Sequence, residues 1–282
     1  MEVDANFSSR EMLYKAKLDW EVSKIPSQRP KSYGNQETMR FFKGFFEASE
    51  AEIETIGSLD GSRILWSLAR LNQDFTLPGE DKVKGYVLLA SRNESREKIE
   101  IQFIIVRESS HNMLPIASTA KPHIKNIFRR TFNPSFPFIN QKPQTFDDEM
   151  TKKVATMVGL GREAISNFAA DAQLLAGKVV DTPTAWLYMF NVFQPETIKN
   201  ISTVGEKEVA ELAEKNTKLA IETLSQVSEQ QPSDMTAWTL LNAVTYIIDH
   251  RLGSNQDSRL RQAWFGSNAK LKTRALELAL AL

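Results

Sequence analysis

The sequence predicts an α+β protein, with an amino-terminal antiparallel sheet and flanking helices (a β-β-β-α-like core) followed by an all-helical carboxy-terminal region. Three observations carry this expectation. Two hairpin patterns fall within residues 53–106, each with apolar runs on either side of a turn. Beyond residue 146 apolar residues recur at three- and four-residue spacing instead. Between the two regions, Asn133 to Thr145 holds Pro134, Pro137 and Pro143 with little periodicity, as a linker does. The expected organisation is a mixed core over 1–132, a linker over 133–145 and a helical domain over 146–282.

Taken in order, residues 9–18 read as a short helix capped by Ser8 or Ser9, and Trp20 to Ile25 as a strand that Pro26 ends. Gln36–Ser49 places Met39, Phe42, Phe45 and Phe46 on one helical face behind an Asn35 cap. Ile53–Ile56 and Arg63–Leu71 flank a turn centred on Asp60-Gly61. Lys84–Ser91 and Lys98–Val106 flank Arg92-Asn93-Glu94-Ser95. In the second of these strands Ile99, Ile101, Phe103 and Ile105 share a face, which predicts a half-buried strand. His123–Phe132 reads as a helix. In the second half, Thr182-Pro183 opens a helix with threonine as cap and proline in the first turn. Glu206–Val227, Met235–His250 and Ala269–Leu282 complete the helical set.

The chain has 282 residues, 41% apolar, 25% charged and 9% aromatic, enough apolar surface to exclude disorder throughout. It has no cysteine, which excludes disulfides, thiolate metal sites and a cysteine nucleophile. No apolar run approaches the roughly 18 residues of a membrane span, and the acidic start Met1-Glu2-Val3-Asp4 lacks a secretory pattern. A soluble intracellular protein without membrane association is expected.

Gly159-Leu-Gly161-Arg-Glu-Ala164 matches a dinucleotide-binding pattern, and Asp181 stands where a ribose-binding acid would fall. That chemistry needs a strand before the glycines and parallel strands after, whereas Asp148–Met157 is rich in helix formers. A helix with a glycine kink is the better account. His111, His123 and His250 share no metal-ligand spacing. Ser110 and His111, as strand neighbours, would point to opposite faces and could not act as nucleophile and base. No phosphate-binding loop, cofactor motif or metal motif is present, and no enzymatic activity is expected.

Charge distribution is more informative. Formal net charge is zero, with 35 basic and 35 acidic residues. Residues 1–81 hold 10 basic and 14 acidic side chains, residues 82–130 hold 10 and 4, residues 131–249 hold 9 and 15, and residues 250–282 hold 6 and 2. Two basic blocks therefore lie inside a neutral protein. The first contains Arg92, Arg96, Lys98, Arg107, Lys121, Lys125, Arg129 and Arg130. The second contains Arg259, Arg261, Lys270, Lys272 and Arg274 around Trp264-Phe265-Gly266. Clustered cations with aromatic residues suit single-stranded nucleic acid, through phosphate neutralisation and base stacking. The competing reading is that the basic blocks pair with the acidic ones, within or between subunits. On Met235–His250, Asn242, Thr245 and Asp249 share a face beside Trp238, Leu241, Val244 and Ile248. Asp249 is expected to hold Arg259 or Arg261 and fix the carboxy-terminal segment.

Several segments together resemble a family of phage- and plasmid-like proteins known only as a domain of unknown function. The segments are Leu18-Asp19-Trp20-Glu21-Val22, Ile56-Gly57-Ser58-Leu59-Asp60-Gly61, Val106-Arg107 with Asn112-Met113-Leu114, Trp238 through His250, and Ser258 through Glu277 with its Trp264-Phe265-Gly266 block. Two departures stand out. The tryptophan- and glycine-rich opening of relatives is missing, and Ser110-His111-Asn112 stands where relatives often carry Cys-Gln-Asn. The resemblance implies a bacteriophage origin and action in the host cytoplasm. The element order is also similar to the core of phage single-strand annealing recombinases, which form rings or filaments and bind DNA in a basic groove. That similarity implies a non-enzymatic, homo-oligomeric protein that binds and anneals single-stranded DNA in recombination or replication. The alternative is an accessory module that engages a host or replication protein, using the acidic face of Glu206–Val227.

Overall fold

Apolar spacing over residues 38–46 produces the first helix of the structure, a computed structural model that describes residues 35–92, 99–118, 148–193 and 235–282, with helical positions at 211, 214–215, 218–219, 221–223 and 225. Helix α1 spans Asn35–Ser49 and buries Met39, Phe42, Phe45 and Phe46, as the sequence predicts. It ends at Glu50, whose left-handed backbone (φ 53°) lets the Ala51 amide bond back to the Phe46 carbonyl. The segments expected as a helix over 9–18, a strand over 20–25, a helix over 123–132 and a linker over 133–145 lie outside the described residues.

Six antiparallel strands follow: β1 Glu52–Leu59, β2 Ile64–Arg70, β3 Phe75–Leu77, β4 Asp81–Arg92, β5 Ile99–Arg107 and β6 Met113–Ser118. Their order is β1-β2-β4-β5-β6, with β3 pairing one end of β4. The first hairpin forms where expected, because Asp60 and Gly61 both take positive φ (55° and 62°) and reverse the chain. In the second, Ser91 pairs with Ile99 and Val83 with Arg107.

Burial of β5 differs from expectation. Ile99, Ile101, Phe103 and Ile105 do share a face, but Glu100, Gln102 and Ile104 on the other face are buried too. A central strand is shielded on both sides, so the half-buried reading is corrected.

The chain divides into two compact units, Met1–Ala169 and Ala170–Leu282, with the boundary inside helix α2, Asp148–Gly177. In the first unit α2 packs on the sheet through Val154, Met157, Val158, Ala164, Ile165 and Phe168, one buried stripe at helical spacing. Gly161 lies in that stripe, and a Cβ there would stand 2.1 Å from the Phe103 ring. The glycine therefore permits close helix–sheet approach. Gly159, two residues earlier, is exposed with nothing near it. The helix runs through both glycines, so the dinucleotide pattern is a packing feature.

The second unit contains α3 Thr182–Phe193, α4 Ala237–Tyr246, a π-helical turn Ile247–Arg251, α5 Gln256–Phe265 and α6 Ser267–Ala281. Asp181, not Thr182, caps α3 by accepting the Thr184 amide at 2.9 Å. The Thr184 side-chain hydroxyl, together with this amide, holds the Asp181 carboxyl below its usual range by hydrogen bonding. Thr236 caps α4 in a reciprocal box with Thr239. Helix α5 is an addition to the sequence reading, capped by Asn255 at the Ser258 amide. The described positions between 211 and 225 are helical, with a Glu214–Lys218 ion pair and the Thr223 hydroxyl bonded to the Leu219 carbonyl.

Candidate functional site

Of the residues expected to bind nucleic acid, eight fall in sequence between the end of β4 and residue 130. Arg92 ends β4. Arg96 and Lys98, between β4 and β5 in sequence, and Lys121, Lys125, Arg129 and Arg130, after β6, lie outside the described residues. Arg107 is placed, and its role is reassigned. Its Nε lies 2.7 and 2.8 Å from the two carboxylate oxygens of Asp81, with both side chains largely shielded. Beside it Lys84 donates to Glu108 at 2.8 Å. These pairs tie the base of the β4–β5 hairpin together, and they occupy the cations there with structural work.

The carboxy-terminal set separates in a similar way. Arg261 and Lys270 are exposed on α5 and α6. Arg259 is half-buried on α5, with its Nε enclosed. Lys272 is fully buried and donates to Asp249 Oδ1 at 2.5 Å. It is therefore withheld from any phosphate, which corrects its expected place among the DNA contacts. The same finding corrects the partner of Asp249, which is Lys272 and not Arg259 or Arg261. Burial pushes the Lys272 ammonium below the ordinary lysine range, while the Asp249 carboxylate opposes that shift.

Trp238, Trp264 and Phe265 are buried, and the last two meet edge to face at 6.0 Å. They are core residues of the helical unit, not exposed stacking platforms. Asn242 donates to the Trp238 carbonyl at 2.9 Å, and Gly266 joins α5 to α6. Ser110 and His111 lie in the β5–β6 turn, where His111 has φ 56°, so the strand-based argument against their pairing does not apply. His250 sits in the π-turn with its ring 4.7 Å from that of Tyr246.

A polar cluster that sequence reasoning missed lies on the sheet. Arg70 on β2 forms an ion pair with Asp74 and stands directly across from Tyr86 on β4. Burial pushes the Tyr86 hydroxyl well above the usual tyrosine range, reinforced by the neighbouring Glu54 carboxylate. The phenol therefore stays neutral while the Arg70 guanidinium holds its charge more firmly beside Asp74. On the same face Gln102 donates to Glu100 at 2.5 Å, both buried. The only prior signal was a charged or amide residue in a strongly apolar strand. Among the described residues, no group of three or more His, Asp or Glu is arranged to hold a metal ion, and no helix is long and apolar enough to cross a membrane.

These features define an α+β protein with a six-stranded antiparallel sheet, a separately compact helical unit, and cations divided between buried pairs and open surface. Residues 24–136, which take in α1 and the six described strands, match a family model described as a domain of unknown function, DUF932. The Trp264-Phe265-Gly266 block lies beyond that match. No curated protein and no solved structure matches the chain.

Proposed function

We propose that this is a phage-encoded protein that binds single-stranded DNA and promotes its annealing in recombination or replication, without enzymatic activity and as a homo-oligomer in the host cytoplasm. One observation carries the reading: the surplus of positive charge over residues 82–130, 10 basic against 4 acidic. The ion pairs Arg107–Asp81 and Lys84–Glu108 absorb charge at the hairpin base. What remains is concentrated in Lys121, Lys125, Arg129 and Arg130 after β6, where no acid intervenes, while Arg92, Arg96 and Lys98 between β4 and β5 are offset in part by Glu94 and Glu97. Arg251, Arg261 and Lys270 are the exposed cations of residues 250–282. Binding by such clusters releases counterions, so it weakens steeply with salt.

Reversing Lys125, Arg129 and Arg130 to glutamate tests the assignment. The triple variant keeps the wild-type circular dichroism spectrum and unfolding midpoint. Its binding is lost, or persists with a log–log salt slope shallower by about 2. A folded triple variant with unchanged affinity removes these residues from the interface. A strand-annealing assay with complementary oligonucleotides then separates annealing from binding alone.

A second reading, a module that engages a host or replication protein, is supported by exposed apolar residues on α3. Trp186, Leu187 and Phe190 all present surface to solvent. A pull-down that returns one stoichiometric host protein, with no DNA binding, favours this reading over the first.

A further inference from the structure

Helix α6 buries Ala269, Lys272, Ala275, Leu276 and Ala279. Three of these five are alanines, which offer almost no shape by which one turn differs from the next. A helix with such a seam is held by burial but weakly told where to sit, because sliding by four residues puts Ala279 in the place of Ala275 and Leu280 in that of Leu276. The Tyr188 hydroxyl on α3 donates to the Ala275 carbonyl at 3.0 Å. That contact does not select a position either, since every residue of a helix carries a carbonyl.

Lys272 differs from its neighbours in the seam. Its ammonium is fully buried and meets Asp249 at 2.5 Å, across from α6 to the turn that ends α4. A shift of α6 by one turn would leave both charges buried apart, at a large desolvation cost. The aim of Asp249 is itself built in. Residues Ile247–Arg251 form a π-turn closed by the Leu252 amide on the Ile247 carbonyl at 3.0 Å. From this turn the Asp249 carboxylate meets the Lys272 ammonium. Asn242 and Thr245, earlier on the same polar stripe, bond to carbonyls of their own helix.

From this arrangement we infer that the Asp249–Lys272 pair, aimed by the π-turn, is a register lock that fixes where the alanine-lined helix α6 seats against α4. Its contribution is to conformational uniqueness rather than to net stability, because a buried ion pair replaced as a whole by apolar residues of similar size is often neutral or stabilising. The lock also determines where Lys270, exposed on α6, is presented.

The chain contains no cysteine, so two introduced cysteines accept spin labels uniquely. Leu187→Cys on α3 and Glu277→Cys on α6 are exposed sites for them. The nitroxide–nitroxide distance is measured by electron paramagnetic resonance in the full chain, with and without the paired change Asp249→Leu and Lys272→Met. The labelled parent gives one narrow distance. The doubly apolar variant stays folded, with an unfolding midpoint at or above that of the parent, and gives a second or displaced distance, separated by up to roughly 5 Å as one helical turn requires. A single, unshifted, unbroadened distance overturns the inference. Failure of the doubly apolar variant to fold overturns it as well, since the pair would then be holding stability and not register.

Discussion

Two glycines two residues apart have opposite reasons to be glycine, and substitution separates them. At Gly161 an added methyl would press into the Phe103 ring, so Gly161→Ala lowers stability by about 1–3 kcal/mol despite the better helix propensity of alanine. At Gly159 nothing lies nearby, so Gly159→Ala raises stability by about 0.5–1 kcal/mol. Urea denaturation of both variants checks the pair of signs. Tyr188 supplies a pH dependence. Burial holds its hydroxyl proton far above the ordinary tyrosine value near 10. Above that pH the unfolded chain loses the proton while the native one keeps it. The stabilisation is therefore complete below about pH 10 and is lost as pH rises further. Tyr188→Phe forfeits the bond to Ala275, at about 0.5–1.5 kcal/mol at neutral pH. The gap between variant and wild type then closes in alkaline unfolding scans. At this scale the sequence misleads most with Lys272. Lysine is ordinarily exposed, and its partner lies 23 residues away in the chain, so neither burial nor pairing can be read locally.

Elements whose signals are local were legible. The α1 stripe, the Asp60-Gly61 reversal and the two long hairpins rest on short-range turn chemistry and periodicity. Three elements were not. Strand β3 has only three residues, too few for an alternation to register. Strand β6 contains Pro115, which argues against a strand in sequence and is tolerated because β6 ends the described sheet. Helix α5 is half polar, and only Asn255 three residues before Ser258 marked its start. The two outer strands of the described sheet are also guarded. Irregular register occurs in β1 near Ile53 and opposite β6 at Phe103/Ile104. Such features disfavour pairing between sheet edges, so self-association of this chain is expected through other surfaces. The reciprocal cap at Thr236 and Thr239 is an element-scale test. Thr236→Ala removes the side-chain acceptor of the Thr239 amide and lowers the unfolding free energy by about 1 kcal/mol, measured by thermal or urea denaturation.

For the whole molecule, the neutral total conceals an arrangement. Some cations are consumed inside the structure, as at Arg107–Asp81, Lys84–Glu108 and Lys272–Asp249. Of the remaining basic residues of the first block, Lys121, Lys125, Arg129 and Arg130 fall together in sequence after β6 with no acid among them. A uniformly basic coating protein is thereby excluded, while a localised anionic partner fits. Fluorescence anisotropy of a labelled single-stranded oligonucleotide, titrated with the full chain at low salt, tests this most directly. The account predicts saturable binding at micromolar protein that is lost as salt rises to a few tenths molar. No binding at micromolar protein in low salt contradicts it.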